Sequence, residues 1–309
     1  MIITVTLNPA VDKTVEVDNC TINSVNRVSS IKLDAGGKGI NVSKVVKSLN
    51  GESIALGVLA GKTGEFIKDY LDTEKIKNDF VFVTGETRTN IKIVDKVKNT
   101  NTDINESGNN VSEDDIKIIK EKVFNLAKSD DILVLSGSVP QSVEKNIYEL
   151  WIREASGLGV KTILDADGEL LKNGIKSGPY LIKPNIHELE KLFDVKINGI
   201  NETIRLCTGI FDYGVKVIAV SLGSEGALFM NREKTIHARG IKVKVKSTVG
   251  AGDSMVAGLA FALDKGYSFE RSVTLSVAAA TAGVMTEGTT AGSLNDILDI
   301  EKQVVCEYL

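Results

Sequence analysis

Apolar and polar positions along the chain follow two different periods. Short β-branched runs at residues 2–7, 54–59, 132–135, 162–164, 180–182 and 215–220 are apolar at nearly every position, the pattern of strands buried on both faces. Between them lie stretches with helical spacing: Ile116, Ile119, Val123 and Leu126 within residues 114–127, and a similar stripe through residues 144–158. Buried strands alternating with amphipathic helices predict an α/β fold with a mainly parallel sheet and helices packed on its faces. Residues 273–285 are apolar but rich in Ala, Ser and Thr, which reads as a core helix and not as a membrane span.

Two segments break the alternation. Residues 13–33 and 88–105 show strand-like alternation with many polar positions and no helical partner, and both lie between elements of the main unit. They predict a small accessory sheet forming a lid on a single domain spanning residues 1–309; two exposed hairpins without a ligand role are the alternative. No internal repeat or low-complexity linker divides the chain.

With 309 residues, 42% hydrophobic and 25% charged, the chain has an ordinary globular composition and enough length for a sizeable core. A net charge of −4 argues against nucleic acid as the main partner, while a local basic pocket remains compatible with anionic small molecules. Cys20, Cys207 and Cys306 are far apart, which argues against a disulfide framework or metal cluster and fits a reducing cytoplasm. The opening residues read as a strand and lack the basic end and apolar core of a signal peptide; no membrane partner is expected.

The most informative segment is Thr248-Val249-Gly250-Ala251-Gly252-Asp253-Ser254, just before an almost wholly apolar helix. Gly250 and Gly252 permit close backbone approach, so N–H groups of Gly250, Ala251 and Gly252 can converge on an anion at the positive end of the helix dipole. Asp253 competes with that anion, which suggests a duty such as accepting a proton from an attacking hydroxyl. A capped buried helix uses the same residue types, so this segment alone leaves both readings open.

Gly36-Gly37-Lys38-Gly39-Ile40-Asn41-Val42-Ser43 opens a helix after a strand. It fails the P-loop pattern, because Gly39 follows the lysine and Leu33 stands where a glycine is needed. Met255 likewise breaks the dinucleotide fingerprint around Gly250 and Gly252. What remains is a glycine-lined floor on which a sugar could lie, with Lys38 and Asn41 directed at its oxygens. In Lys183-Pro184-Asn185-Ile186-His187-Glu188, Asn185 and Glu188 share one helix face and could organise magnesium through its waters; a helix-capping pair is the simpler reading. Ser221 to Gly226 and Ser136 to Pro140 each end a strand, where nucleotides and ligand hydroxyls are met in parallel sheets, although either could be a mere tight connection. His187 and His237 have no matching ligand cluster and read as structural or solvent-facing.

Taken in order, Thr6 to Asp12, Asp34 to Ser43, Ser136 to Pro140, Lys183-Pro184-Asn185 and Ser247 to Asp253 resemble the ribokinase-like sugar kinases, in particular their phosphofructokinase B branch. Gly85 to Ile93 and Thr102 to Glu106 look most like bacterial 1-phosphofructokinases, with tagatose-6-phosphate kinases as close neighbours. The resemblance implies a ribokinase-like three-layer α/β/α domain with a β-sheet lid, a homodimer joined through the lids, ATP and magnesium, and phosphorylation of fructose 1-phosphate at C6. A 6-phosphofructokinase or tagatose-6-phosphate kinase is the alternative. By carry-over, Asp253 is the base. Asp12, Gly36, Gly37 and Asn41 hold the sugar, while Lys38, Arg88, Ser138 and Arg27 hold its phosphate. Lys183, Asn185, Ser221, Gly223 and Gly226 line the nucleotide, and Glu188 positions magnesium through water. Asn109 replaces the family's usual proline after the lid glycine, and Lys75 stands where a glycine is common.

Overall fold

A computed structural model describes residues 1–309. Its main sheet runs in spatial order Cys306–Tyr308, Thr235–Arg239, Gly226–Met230, Val217–Ser221, Leu181–Ile182, Lys161–Asp165, Ile132–Ser136, Ile2–Thr6, Ser53–Ala60 and Lys77–Asn78, with Val81–Val83 also paired to Ser53–Ala60. Pairing is parallel from Lys77–Asn78 through Val217–Ser221 and antiparallel across the three pairings beyond it. These three last strands were not expected from the sequence, whereas the six predicted buried runs all fall on strands.

The strands are apolar throughout because both faces are covered. Ile3, Val5, Leu133 and Leu135 pack under helices Glu113–Leu126, Ile147–Gly157 and Gly168–Ile175, while their neighbours Ile2, Ile132 and Val134 face Lys38–Ser48, Ala251–Asp264 and Phe269–Val284. The result is the expected three-layer arrangement. In the second helical layer, Gly258 lets Ala251–Asp264 approach Phe269–Val284 closely: a Cβ there would stand 2.6 Å from the Ser276 Cα. Lys75 adopts φ +54°, so a lysine occupies a left-handed position that favours glycine.

Residues 10–36 and 88–104 form a separate four-stranded sheet, ordered Val28–Gly36, Ala10–Val17, Arg88–Asp95, Thr100–Ile104. Its register places Asp12, Asn90, Lys92 and Asp103 on one face and Val15, Ile31, Leu33, Ile91, Ile93 and Ile104 on the other. The apolar face is largely uncovered, with Ile31 58%, Leu33 49% and Ile104 53% exposed. No helix is long and apolar enough to cross a membrane, and all three cysteines are free.

Candidate active site

Ile2–Thr6 and Ile132–Ser136 lie side by side, but the chain leaves their carboxyl ends in opposite directions, toward Ser53–Ala60 after the first and Lys161–Asp165 after the second. A crevice opens at such a switch point, and here it is a cavity of about 430 Å³. Thr6, Asn8, Ser136, Gly137 and Ser138 come from the two strand ends; Gly37, Lys38, Asn41, Gly250 and Asp253 from two helix starts; Asp12, Arg88, Asn90, Lys92 and Asp103 from the polar face of the second sheet. Only 2 of its 19 lining residues are hydrophobic, so its ligand is polar.

Gly250 turns the chain into helix Ala251–Asp264 with φ +80° and no side-chain cap. The N–H groups of Gly250, Gly252 and Asp253 have no backbone acceptor, while Ala251 N–H makes a long turn contact of 3.4 Å with Thr248 O. Asp253 is buried and its Oδ2 accepts a hydrogen bond from Asn41 Nδ2 at 2.8 Å. Burial raises its carboxyl above the ordinary range; Lys38 opposes the shift, Asp165 adds to it, and the Asn41 bond and Lys183 oppose it further. A carboxylate so placed is a stronger proton acceptor than one in water.

Behind this floor lies a group that the sequence reading missed. Asp165 ends its strand fully buried, and its Oδ1 meets Lys38 Nζ at 3.1 Å and Lys183 Nζ at 3.2 Å. Lys183 is itself buried and sits beside the helix start, 3.3 Å from where a Cβ on Gly252 would be. The only local signal was a carboxylate closing a buried strand. Asp165 Oδ2 is buried without a partner, as are Thr6 Oγ1, Asn90 Oδ1 and Ser136 Oγ around the cavity. Several unpaired buried polar atoms around one cavity mark a site completed by ligand or water.

Of the other expected site residues, Asp12, Gly37, Lys38, Asn41, Arg88 and Ser138 line the cavity. Gly36 lies beneath Asp12, where a Cβ would stand 2.6 Å from Asp12 Oδ2, and Asn8 Nδ2 donates to Ser138 Oγ at 3.2 Å. Arg88 lines it differently from expectation: Nε, Nη1 and Nη2 donate to the carbonyls of Pro9, Glu106 and Asn8 at 3.3, 2.9 and 3.0 Å. Arg27 does not join the other expected residues within this chain: it is exposed on the connection before Val28–Gly36 and lies outside the cavity lining. Asn185 and Glu188 form the capping box that the simpler reading expected, with bonds of 2.9 and 2.8 Å, and no cluster of three metal-ligating side chains is present. Ser221 pairs with Asn185, and Gly223 to Gly226 turn the chain through one short 3-10 turn into an antiparallel hairpin. Asn90, Lys92 and Asp103 were missed because they meet only through sheet register, and Asn8 because it lies on the turn between Ile2–Thr6 and Ala10–Val17.

The pfkB family of carbohydrate kinases matches residues 5–296. A 1-phosphofructokinase from Borreliella burgdorferi is 38% identical, covering 98% of this chain and 96% of the relative. A tagatose-6-phosphate kinase from Staphylococcus epidermidis is 37% identical over 85% of each chain. The crystal structure of phosphofructokinase-2 from Escherichia coli in complex with substrates and products superposes with a TM-score of 0.94 at 30% identity, covering 98% of this chain and 99% of that one.

Proposed function

The chain belongs to the pfkB family of carbohydrate kinases, and from that premise we propose that it transfers the γ-phosphoryl group of ATP to the C6 hydroxyl of fructose 1-phosphate. The products are fructose 1,6-bisphosphate and ADP. The observation that carries the reading is Asp253, a buried carboxylate held by Asn41 at the unpartnered N–H end of a helix and facing a polar cavity. As the C6 oxygen bonds phosphorus and the bond to the ADP oxygen breaks, Asp253 takes the hydroxyl proton. Backbone N–H groups of Gly250 and Gly252, with Ala251 between them, stabilise charge on the transferred group. Asp12, Gly37 and Asn41 hold sugar hydroxyls above the backbone that Gly36 allows to pass under Asp12. Lys38, Ser138 and the two remaining N–H groups of Arg88 face the phosphate already present.

Lys183, Asn185, Ser221, Gly223 and Gly226 serve the nucleotide, because they follow Leu181–Ile182 and Val217–Ser221, the next strands along the same sheet edge. The orphaned Asp165 Oδ2 and the Glu188 carboxyl are oxygen donors that suit magnesium held through water. When bound, magnesium offsets negative charge on the ATP phosphates. The uncovered apolar face of Val15, Ile31, Leu33, Ile93 and Ile104 suits a homodimer joined through the second sheet, which then acts as the lid. A cytoplasmic setting fits the free cysteines. Phosphorylation of tagatose 6-phosphate is the second reading, supported by the similarity to the staphylococcal kinase.

The test is Asp253→Asn, which keeps shape and the Asn41 contact. Turnover should fall at least ~10²-fold while calorimetry still detects ATP and sugar phosphate. Near-normal turnover would remove Asp253 as the base.

A further inference from the structure

Three cations border the cavity, and two are already engaged. Lys38 Nζ donates to Asp165 Oδ1 at 3.1 Å, and Arg88 gives three N–H groups to backbone carbonyls. Lys92 is different. Its side chain is only 14% exposed, yet its ammonium makes no hydrogen bond within the protein; the nearest carboxylate oxygen, Asp12 Oδ2, lies 3.9 Å away. Asp12 is meanwhile occupied on its other oxygen by Asn90 Nδ2 at 3.0 Å. Strand register fixes Lys92 on the cavity face, two residues beyond Asn90, whose own buried Oδ1 lacks a partner. An ammonium removed from most of its water and left without acceptors is costly unless a ligand supplies them.

We propose that Lys92 binds the phosphate ester that the sugar brings into the site and sets the preference for phosphorylated over free sugar. The cavity borders on Asp12, Asp103 and Asp253, so a phosphate dianion is admitted only beside a cation with donors to spare. Lys92 offers three such donors, against two remaining on Arg88 and two on Lys38, whose charge is already paired with Asp165. The inference rests on the sugar-phosphate kinase reading but not on which carbon carries the phosphate.

Lys92→Met and Lys92→Arg test it, each checked for an unchanged thermal melt. For the preferred sugar phosphate, Lys92→Met should raise KM by roughly 10- to 100-fold and the competitive Ki of inorganic phosphate by a similar factor, the loss of one charge-assisted bond. kcat and the ATP KM should stay within about threefold, and Lys92→Arg should recover most of the loss. An unchanged KM would overturn the proposal. So would a raised KM with an unchanged phosphate Ki, which would assign Lys92 to sugar hydroxyls. If the wild-type protein phosphorylates no sugar phosphate, the kinase reading fails on that result alone. Calorimetric titration with inorganic phosphate then still decides Lys92, since binding that persists in Lys92→Met contradicts the proposal.

Discussion

Asp165 is the residue whose loss should cost the fold most among the polar groups around the site. It is fully buried, with Lys183 at 3.2 Å and only 4% exposed, and Lys38 at 3.1 Å and 35% exposed. At an effective dielectric of about 20, a pair at this separation is worth ~5 kcal/mol. The Lys38 pair is discounted for its contact with solvent, so Lys183 dominates. Asp165→Asn keeps the volume but strands a buried ammonium, and a loss of about 3–5 kcal/mol in unfolding free energy is expected. Urea titration followed by circular dichroism at neutral pH measures it. Adding Lys183→Met removes the stranded charge, so the double variant should be more stable than Asp165→Asn alone by ~1 kcal/mol or more. Burial by itself would raise the Asp165 carboxyl, but the charges and hydrogen bonds of Lys183 and Lys38 outweigh it and hold the group below the usual carboxylate range. Its folded value is therefore lower than its unfolded one. The stabilisation is complete above about pH 4, and is lost as pH falls through the depressed value. Asp165→Asn should flatten that acid edge. A single-variant loss below ~1 kcal/mol, or a double variant less stable than the single, would refute the argument.

Other consequences are open to measurement. Because burial raises the Asp253 carboxyl, kcat/KM should decline on the acid side at a pH above that of an ordinary Asp, and this limb should vanish in the residual activity of Asp253→Asn. Lys44 is buried against the Ala35 carbonyl and over the Tyr70 ring at 5.0 Å; burial, opposed by Asp34 and Asp12, lowers its ammonium to about 8. Its folded value lies below the unfolded one, so fold stability should rise between about pH 8 and 10, and Lys44→Met should remove that rise in thermal melts. Gly258→Ala puts a Cβ 2.6 Å from the Ser276 Cα, and calorimetric unfolding should show a loss of about 1–3 kcal/mol.

Much of this architecture was legible because strands buried on both faces leave continuous apolar runs, and the helix start at Gly250 to Asp253 carries its chemistry in consecutive residues. What escaped depends on long-range pairing. Asp165 acquires meaning only from Lys183 and from Lys38, the latter 127 residues away in sequence, and Asn90 and Lys92 only from the register that lays Arg88–Asp95 beside Ala10–Val17. Arg88 was expected to hold the sugar's phosphate, but the carbonyls that take up three of its N–H groups leave no mark in a sequence. The strands Gly226–Met230 and Thr235–Arg239 form an antiparallel hairpin after the parallel core, where a repeated βα pattern gives no warning of them.

Which sugar phosphate receives the phosphoryl group is the most direct test of the proposed reaction. ADP release with magnesium and ATP, measured in parallel against fructose 1-phosphate, fructose 6-phosphate and tagatose 6-phosphate, compares kcat/KM directly. Fructose 1-phosphate should give the highest value. A higher value for either 6-phosphate would contradict that reaction and reverse the sugar's orientation beneath the second sheet.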